Sequence, residues 1–328
     1  MNLTEVNQTD QCLRFSCPER SVSAVYVFLY VCAAAAVLLT VCGNLLIIIS
    51  VCHFKQLHTP TNMLILSLAV SDFLVGILVM PTALTWMIES CWMFSSVYCL
   101  CYIYSSYFLT ATSIFAVALI AVDRYFALSN PFLYTKTVSV NTWCIIVLCN
   151  WVVLLFYHLA LQYFNGYYAN LVLCPGDCFL VLDEVWSLTE LLLKFVFPFA
   201  VIIILYVLVF VIARKHATAI RELHIHTRTQ TSKNITESMK SERKAAKVLG
   251  ILVSVFLACL LPYFIYTVLG NAVQIEMGSF QKVLMLVYLN STINPVIYAL
   301  FYPWFRRCVR LTLTLQIFNT DSSLMNVL

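Results

Sequence analysis

The residues able to do chemistry in this chain are few, and most stand inside long apolar runs. Asp72 follows Leu68-Ala69-Val70-Ser71, Asp123 and Arg124 close a second run, and Glu190 and Lys194 sit in a third. Asn44, Asn290 and Asn294 add amides, and prolines at 81, 198, 262 and 295 interrupt four runs. An ionisable side chain at the centre of a hydrocarbon-embedded helix costs about 2.5–3.5 kcal/mol on insertion scales, so each is a candidate functional group. Glu190 and Lys194 are four residues apart, the spacing at which opposite charges pair on one helix face. Enzyme chemistry finds no support, because no His, Cys and Asp grouping makes a metal or nucleophile site. His58, His224 and His226 read as solvated loop residues.

Membrane-spanning helices must position these groups. The 328 residues are 62% hydrophobic and 10% charged, against about 25% charged in a soluble domain. A bilayer span needs about 20 mostly apolar residues, and seven stretches qualify: 23–51, 61–86, 97–122, 141–162, 187–213, 245–270 and 280–301. Prolines within them free backbone carbonyls and kink the helix, which suits a bundle that must bend.

Charge orients the bundle. Lys55, Arg124, Lys136, the basic residues between Arg214 and Lys247, and Arg306, Arg307 and Arg310 fall on one side; Arg14, Arg20 and Lys282 fall on the other. Basic residues favour the cytoplasmic side, so the N-terminus is outside and the C-terminus inside. The expected class is an all-α membrane protein, a seven-transmembrane helix bundle with a short amphipathic helix from Pro303 on the inner leaflet. Its divisions are an extracellular tail over 1–22, the helix domain over 23–301 and a cytoplasmic segment over 302–328.

Asn2-Leu3-Thr4 and Asn7-Gln8-Thr9 are glycosylation acceptors on the outer side. Residues 1–22 lack the apolar core of a signal peptide, so the first span is expected to direct insertion. Cys12, Cys17, Cys99, Cys174 and Cys178 lie outside, with Cys91 nearby, where disulfides form; their pairing is left open by the sequence. Cys308, among arginines, is a candidate for palmitoylation, a buried or merely free thiol being the alternatives.

An ordered set of motifs runs through the spans. It comprises Gly43-Asn44 in helix one, Leu68 to Asp72 in helix two and Asp123-Arg124-Tyr125 in helix three. It continues with Trp151 in helix four, Pro198 and Tyr206 in helix five, Phe256 and Pro262 in helix six, and Asn294-Pro295-Val296-Ile297-Tyr298 in helix seven. With these motifs the chain resembles a rhodopsin-like G-protein-coupled receptor along essentially its whole length. Asn290-Ser291, Asn294-Pro295, Tyr298, Tyr302 and Trp304-Phe305 are similar to the helix-seven fingerprint of trace amine-associated receptors. Residues 53–62 and 241–247 look like that family too.

The resemblance implies a plasma-membrane receptor that binds a small-molecule amine and signals through a heterotrimeric, stimulatory G protein, with an olfactory role. Membrane lipid is the other partner, and no nucleic acid is expected. Arg124 and Glu242 would form a cross-helix ion pair holding the inactive state, and Tyr206 and Tyr298 would swing inward on activation. Ile114, Pro198 and Phe256 match the packing triad. Asp72, Ser113, Asn290 and Ser291 match a sodium pocket, whose oxygen donors suit a hard cation; the ion would be a modulator, and no other cofactor is implied. The family also implies a Cys99–Cys178 bridge, and a second bridge from Cys174 to Cys12 or Cys17.

Two departures bear on function. The position where amine receptors carry a helix-three aspartate, eighteen residues before Arg124, holds Ser106. Glu190, eight residues before Pro198, falls on the face that the resemblance makes pocket-lining, so it is expected to hold the ligand's ammonium by a charge-assisted hydrogen bond. Lys194 either neutralises Glu190 or binds a ligand carboxylate, as would suit a zwitterion; a non-amine ligand is the further alternative. Tyr107, Thr110, Tyr263, Phe264, Tyr266 and Tyr288 are expected near the same cavity. The second departure is Leu260, where relatives carry tryptophan two residues before the helix-six proline. A retinal-binding pump would need a lysine midway along helix seven, where Leu284 and Tyr288 stand. A transporter would usually show internal repeats, and none is visible.

Overall fold

The computed structural model describes Cys17, residues 23–168, Cys178, residues 184–226, Val248, and residues 250–266, 277–319 and 322–327. The protein is a seven-helix bundle. Helix one is Ala24–His53, helix two Pro60–Glu89, helix three Ser96–Ser129 and helix four Val140–Tyr168. Helix five covers 184–226, helix six Gly250–Tyr266 among the described residues, and helix seven Met277–Phe301. A short inner helix, Pro131–Thr137, follows helix three, and Pro303–Leu313 follows helix seven.

Local chemistry sets the helix starts. Thr59 accepts a hydrogen bond from the Asn62 backbone N–H, with Pro60 in the first turn, and Ser95 accepts from Tyr98. Both are side-chain caps that satisfy a helix's free amide groups. Helix three runs past Arg124 to Ser129, further than its expected end at 122, because Tyr125 to Leu128 continue it until Asn130-Pro131 breaks it. Arg124 therefore stands within a helix rather than at its end.

Apolar side chains divide between lipid and core. Phe28, Val153, Phe156 and Phe210 are exposed on the outer surface, as lipid-facing residues are. Leu68, Ile114, Phe256 and Tyr298 are fully buried. Polar contacts then knit the helices together, as association in lipid requires. Thr40 on helix one meets Thr292 on helix seven at 2.7 Å, Asn44 donates to the Ser291 carbonyl at 3.1 Å, and Trp151 donates to Ser67 at 2.9 Å. Gly43 permits the first of these approaches, since a Cβ there would lie 2.6 Å from Pro295 Cβ.

Two prolines are accommodated by π-helical turns, Val75–Val79 just before Pro81 and Leu191–Val196 just before Pro198. Such wider turns are common at functional sites and reorient the residues on either side.

The amphipathic helix Pro303–Leu313 buries Trp304, Phe305 and Cys308 and leaves Arg307 and Arg310 exposed. Arg306 donates to the carbonyls of Ala299 and Leu300 at 3.1 and 2.8 Å, satisfying the free end of helix seven. Cys308 is fully buried, and burial pushes its thiol up to about 11. The buried alternative for this residue is thus the one found, its thiol packed against protein. The chain then folds back beneath helix one, where Ser322 meets His53 at 2.9 Å and the Val327 N–H donates to Gln56 at 3.0 Å.

Two outcomes follow from this packing. Gly43→Ala should cost about 1–3 kcal/mol by overpacking a rigid proline ring, seen as lower thermal stability and reduced surface expression. In intact cells Cys308 should take up no palmitate above the level of a Cys308→Ser control.

Candidate ligand cavity and intracellular switch

A cavity of about 90 Å³ opens beneath Cys178 among helices two, three, five, six and seven. Helix three contributes Tyr102, Ile103, Ser106, Tyr107 and Thr110 to its wall, and helix five contributes Lys194 and Phe195. Trp86, Tyr263, Leu284, Val287 and Tyr288 complete it. The Tyr102 and Tyr288 hydroxyls meet at 2.8 Å, and Ser106 meets Tyr288 at 3.4 Å. Cys178 is held over the cavity by its bond to Cys99 at the outer end of helix three. Cys17 bonds Cys91, which removes Cys17 from the two partners expected for Cys174. Cys12 and Cys174 lie outside the described residues, as do Asn2 and Asn7.

Among the residues expected at the cavity, Glu190, Phe264 and Tyr266 do not line it. Phe264 packs instead against Phe195 and Phe199, with ring centroids 5.6 and 6.4 Å apart. Glu190 and Lys194 are both buried, at 5% and 6% exposure, and their charges pair at 3.4 Å. Lys194 Nζ also lies 4.1 Å from the centre of the Tyr107 ring. Glu190 Oε1 is buried and has no hydrogen-bond partner. The π turn that begins at Leu191 explains why the two charges, though four residues apart, are not equally presented to the cavity.

Four residues near this site carry no signal that the sequence analysis used. Trp86 and Tyr102 belong to an apolar cluster with Trp92, and their rings read from the sequence as ordinary packing. Tyr157 and His158 of helix four have buried polar atoms without partners. His158, 3% exposed, stands edge-on to Phe108 and within electrostatic reach of Glu190 and Lys194. A histidine in an apolar span is itself a signal, and it could have been found on that ground.

Deeper in the bundle, Asp72 is fully buried and both its oxygens accept hydrogen bonds. Ser291 donates at 2.7 Å and Ser113 at 3.3 Å to Oδ1, and Asn294 donates at 2.7 Å to Oδ2. Asn290 Oδ1 nearby in helix seven is buried without a partner.

At the inner end, Asp123 gathers its neighbours. Arg124 donates to it through Nε at 3.0 Å and pairs through Nη2 at 2.5 Å, Thr61 donates at 2.7 Å, and Tyr134 donates at 2.6 Å. Arg124 also donates to Thr61 and is only 8% exposed. Burial first, and then the Asp123 carboxylate it donates to, push the Tyr134 phenol well above the usual tyrosine range, so it stays a donor at physiological pH. Tyr134, on the short inner helix, had no counterpart among the expected switch residues. Glu242 lies outside the described residues. Tyr206 and Tyr298 have buried hydroxyls without partners, Tyr125 packs against Phe126, and Leu260 is 1% exposed in the core.

An outer cavity over a buried polar core and a clamped arginine defines a membrane receptor that passes a signal from one side to the other. Residues 43–298 match the 7 transmembrane receptor (rhodopsin family). The chain is 39% identical over 306 residues to trace amine-associated receptor 13c of Danio rerio, covering 91% of this chain and 89% of that one. It is 36% identical over 318 residues to trace amine-associated receptor 4 of Rattus norvegicus, covering 94% and 91%. With trace amine-associated receptor 1 of Homo sapiens it shares 35% over 304 residues, 90% of each chain. The chain therefore belongs to the rhodopsin-family receptors and, within them, to the trace amine-associated receptors. It is a multi-pass plasma-membrane protein with its N-terminus outside, a signalling receptor rather than an enzyme, with a small-molecule ligand and a G protein as partners.

The Asp123 cluster yields one prediction. Tyr134→Phe removes a donor from the carboxylate that holds Arg124; a loss of about 1 kcal/mol shifts a two-state balance about fivefold. Ligand-independent nucleotide exchange on the G protein should rise severalfold at equal surface expression.

Proposed function

We propose that this receptor senses small amines, that Glu190 anchors their ammonium group, and that signalling runs through a stimulatory G protein to cyclic AMP, in an olfactory setting. The observation that carries the reading is Glu190 Oε1, a buried carboxylate oxygen with no partner, in a receptor with Ser106 where amine-binding relatives place an aspartate. An ammonium there forms a charge-assisted hydrogen bond. The tyrosines of the wall add cation–π attraction for the same group.

A relay in place of the missing tryptophan is supported by the aromatic contacts below the cavity. Phe195 meets Tyr263 at 5.7 Å and Phe199 at 6.0 Å, and Phe199 meets Phe256 at 6.2 Å. A ligand pressing on Phe195 thus moves the ring beside Phe256, which packs with Ile114 near Pro198. Release of Arg124 from Asp123, and of a Glu242 pair in the inactive state, then frees helix six to swing outward, with Tyr206 and Tyr298 turning inward. Sodium is the proposed modulator: the Asp72 carboxylate, the Ser113 and Ser291 hydroxyls and the unpartnered Asn290 oxygen are hard oxygen donors of the kind it takes. Bound there, it would favour the inactive packing.

Cyclic AMP in cells challenged with a panel of small amines tests the anchor. Glu190→Gln should raise the half-maximal concentration by about a hundredfold, the weight of a bond to a buried charge, compared in cells matched for surface expression. Unchanged potency would remove Glu190 from the ligand site.

A further inference from the structure

We infer that Lys194 is an anion-binding group and that the ligand is a compact amino carboxylate, its carboxylate on Lys194 and its ammonium on Glu190. The inference rests on the amine reading above and adds the second end of the ligand.

Lys194, not Glu190, lines the cavity, and among the described residues no other charged side chain is in the lining. Its 3.4 Å separation from Glu190 exceeds the about 2.7–2.9 Å of a well-made charge-assisted bond. An ammonium has three donors; Glu190 engages one, and the Tyr107 ring lies 4.1 Å from the nitrogen. The Ser106 and Thr110 hydroxyls share the same wall and can orient a carboxylate beside Lys194.

Charge balance decides between ligand types. The buried pair is neutral, and an uncompensated charge in such a site costs several kcal/mol. A plain amine that takes Glu190 strands Lys194, and a plain acid that takes Lys194 strands Glu190. A zwitterion replaces each partner with its own opposite charge and leaves nothing unpaired. The size is compatible with a compact ligand, the cavity measuring about 90 Å³.

The test uses the full chain, read both as cyclic AMP in cells and as ligand-induced thermal stabilisation of the purified receptor, which needs no assumption about the G protein. The probes are glycine, β-alanine, γ-aminobutyrate and α-aminobutyrate, each against its methyl ester, the matching alkylamine and the matching amine-free acid. At least one amino acid should be tenfold or more stronger than its ester and alkylamine, and Lys194→Gln should erase that advantage. The Glu190→Gln/Lys194→Gln double variant, which buries no charge, should reach the surface and show no preference. Alkylamines as strong as the amino acids, with ratios unchanged by Lys194→Gln, would overturn the carboxylate site and leave the amine anchor standing. Amine-free acids as strong as the amino acids, and lost on Lys194→Gln, would overturn the ammonium end and with it the amine reading. Neither signal nor stabilisation from any probe would overturn both.

Discussion

A polar group buried in this bundle is costly unless another group answers it. Asp72 shows the rule obeyed, its two oxygens taking donors from helices three and seven. Asp123 shows it again, gathering Thr61, Arg124 and Tyr134 from three elements. The Glu190–Lys194 pair meets it only in part, with a long contact and an oxygen left over. A polar network left incomplete in a buried site is energetically costly, and the Lys194 end of this one stands at the wall of the outer cavity.

The same constraint explains how the two ends communicate. Helices in lipid associate by close packing and polar contacts, so one moves only if its neighbours repack. Gly43 against Pro295, and the π turns before Pro81 and Pro198, mark places where the backbone has departed from a straight helix to permit the fit. Helix five carries the cavity-lining Lys194 and Phe195 in its π turn and Phe199 one turn on. A shift at that turn therefore reaches Phe256 without a tryptophan at Leu260.

Much of this was legible in the sequence because lipid leaves a strong imprint on composition. The spans, their orientation and the functional weight of Asp72, Arg124, Glu190 and Lys194 follow from apolar runs broken by rare charges. Helix ends were less legible: helix three continues beyond Arg124 since residues 125–128 suit a helix as well as a loop. The relative presentation of Glu190 and Lys194 depends on a π turn, which counting by fours assumes away. Pairing of Cys17 with Cys91 joins residues 74 apart in the sequence, which no local pattern records. Tyr134 matters through Asp123, a partner on another element, and so carried no local mark, whereas His158 was marked only by being a histidine in an apolar span.

The central claim is that Glu190 and Lys194 compensate one another in a buried site. A double-mutant cycle of Glu190→Gln and Lys194→Gln, read as the thermal stability of the solubilised receptor, tests it directly. Mutual compensation predicts that each single variant is destabilised by leaving one buried charge alone, and that the double variant recovers most of the loss. Additive losses, or single variants as stable as the parent, would contradict it.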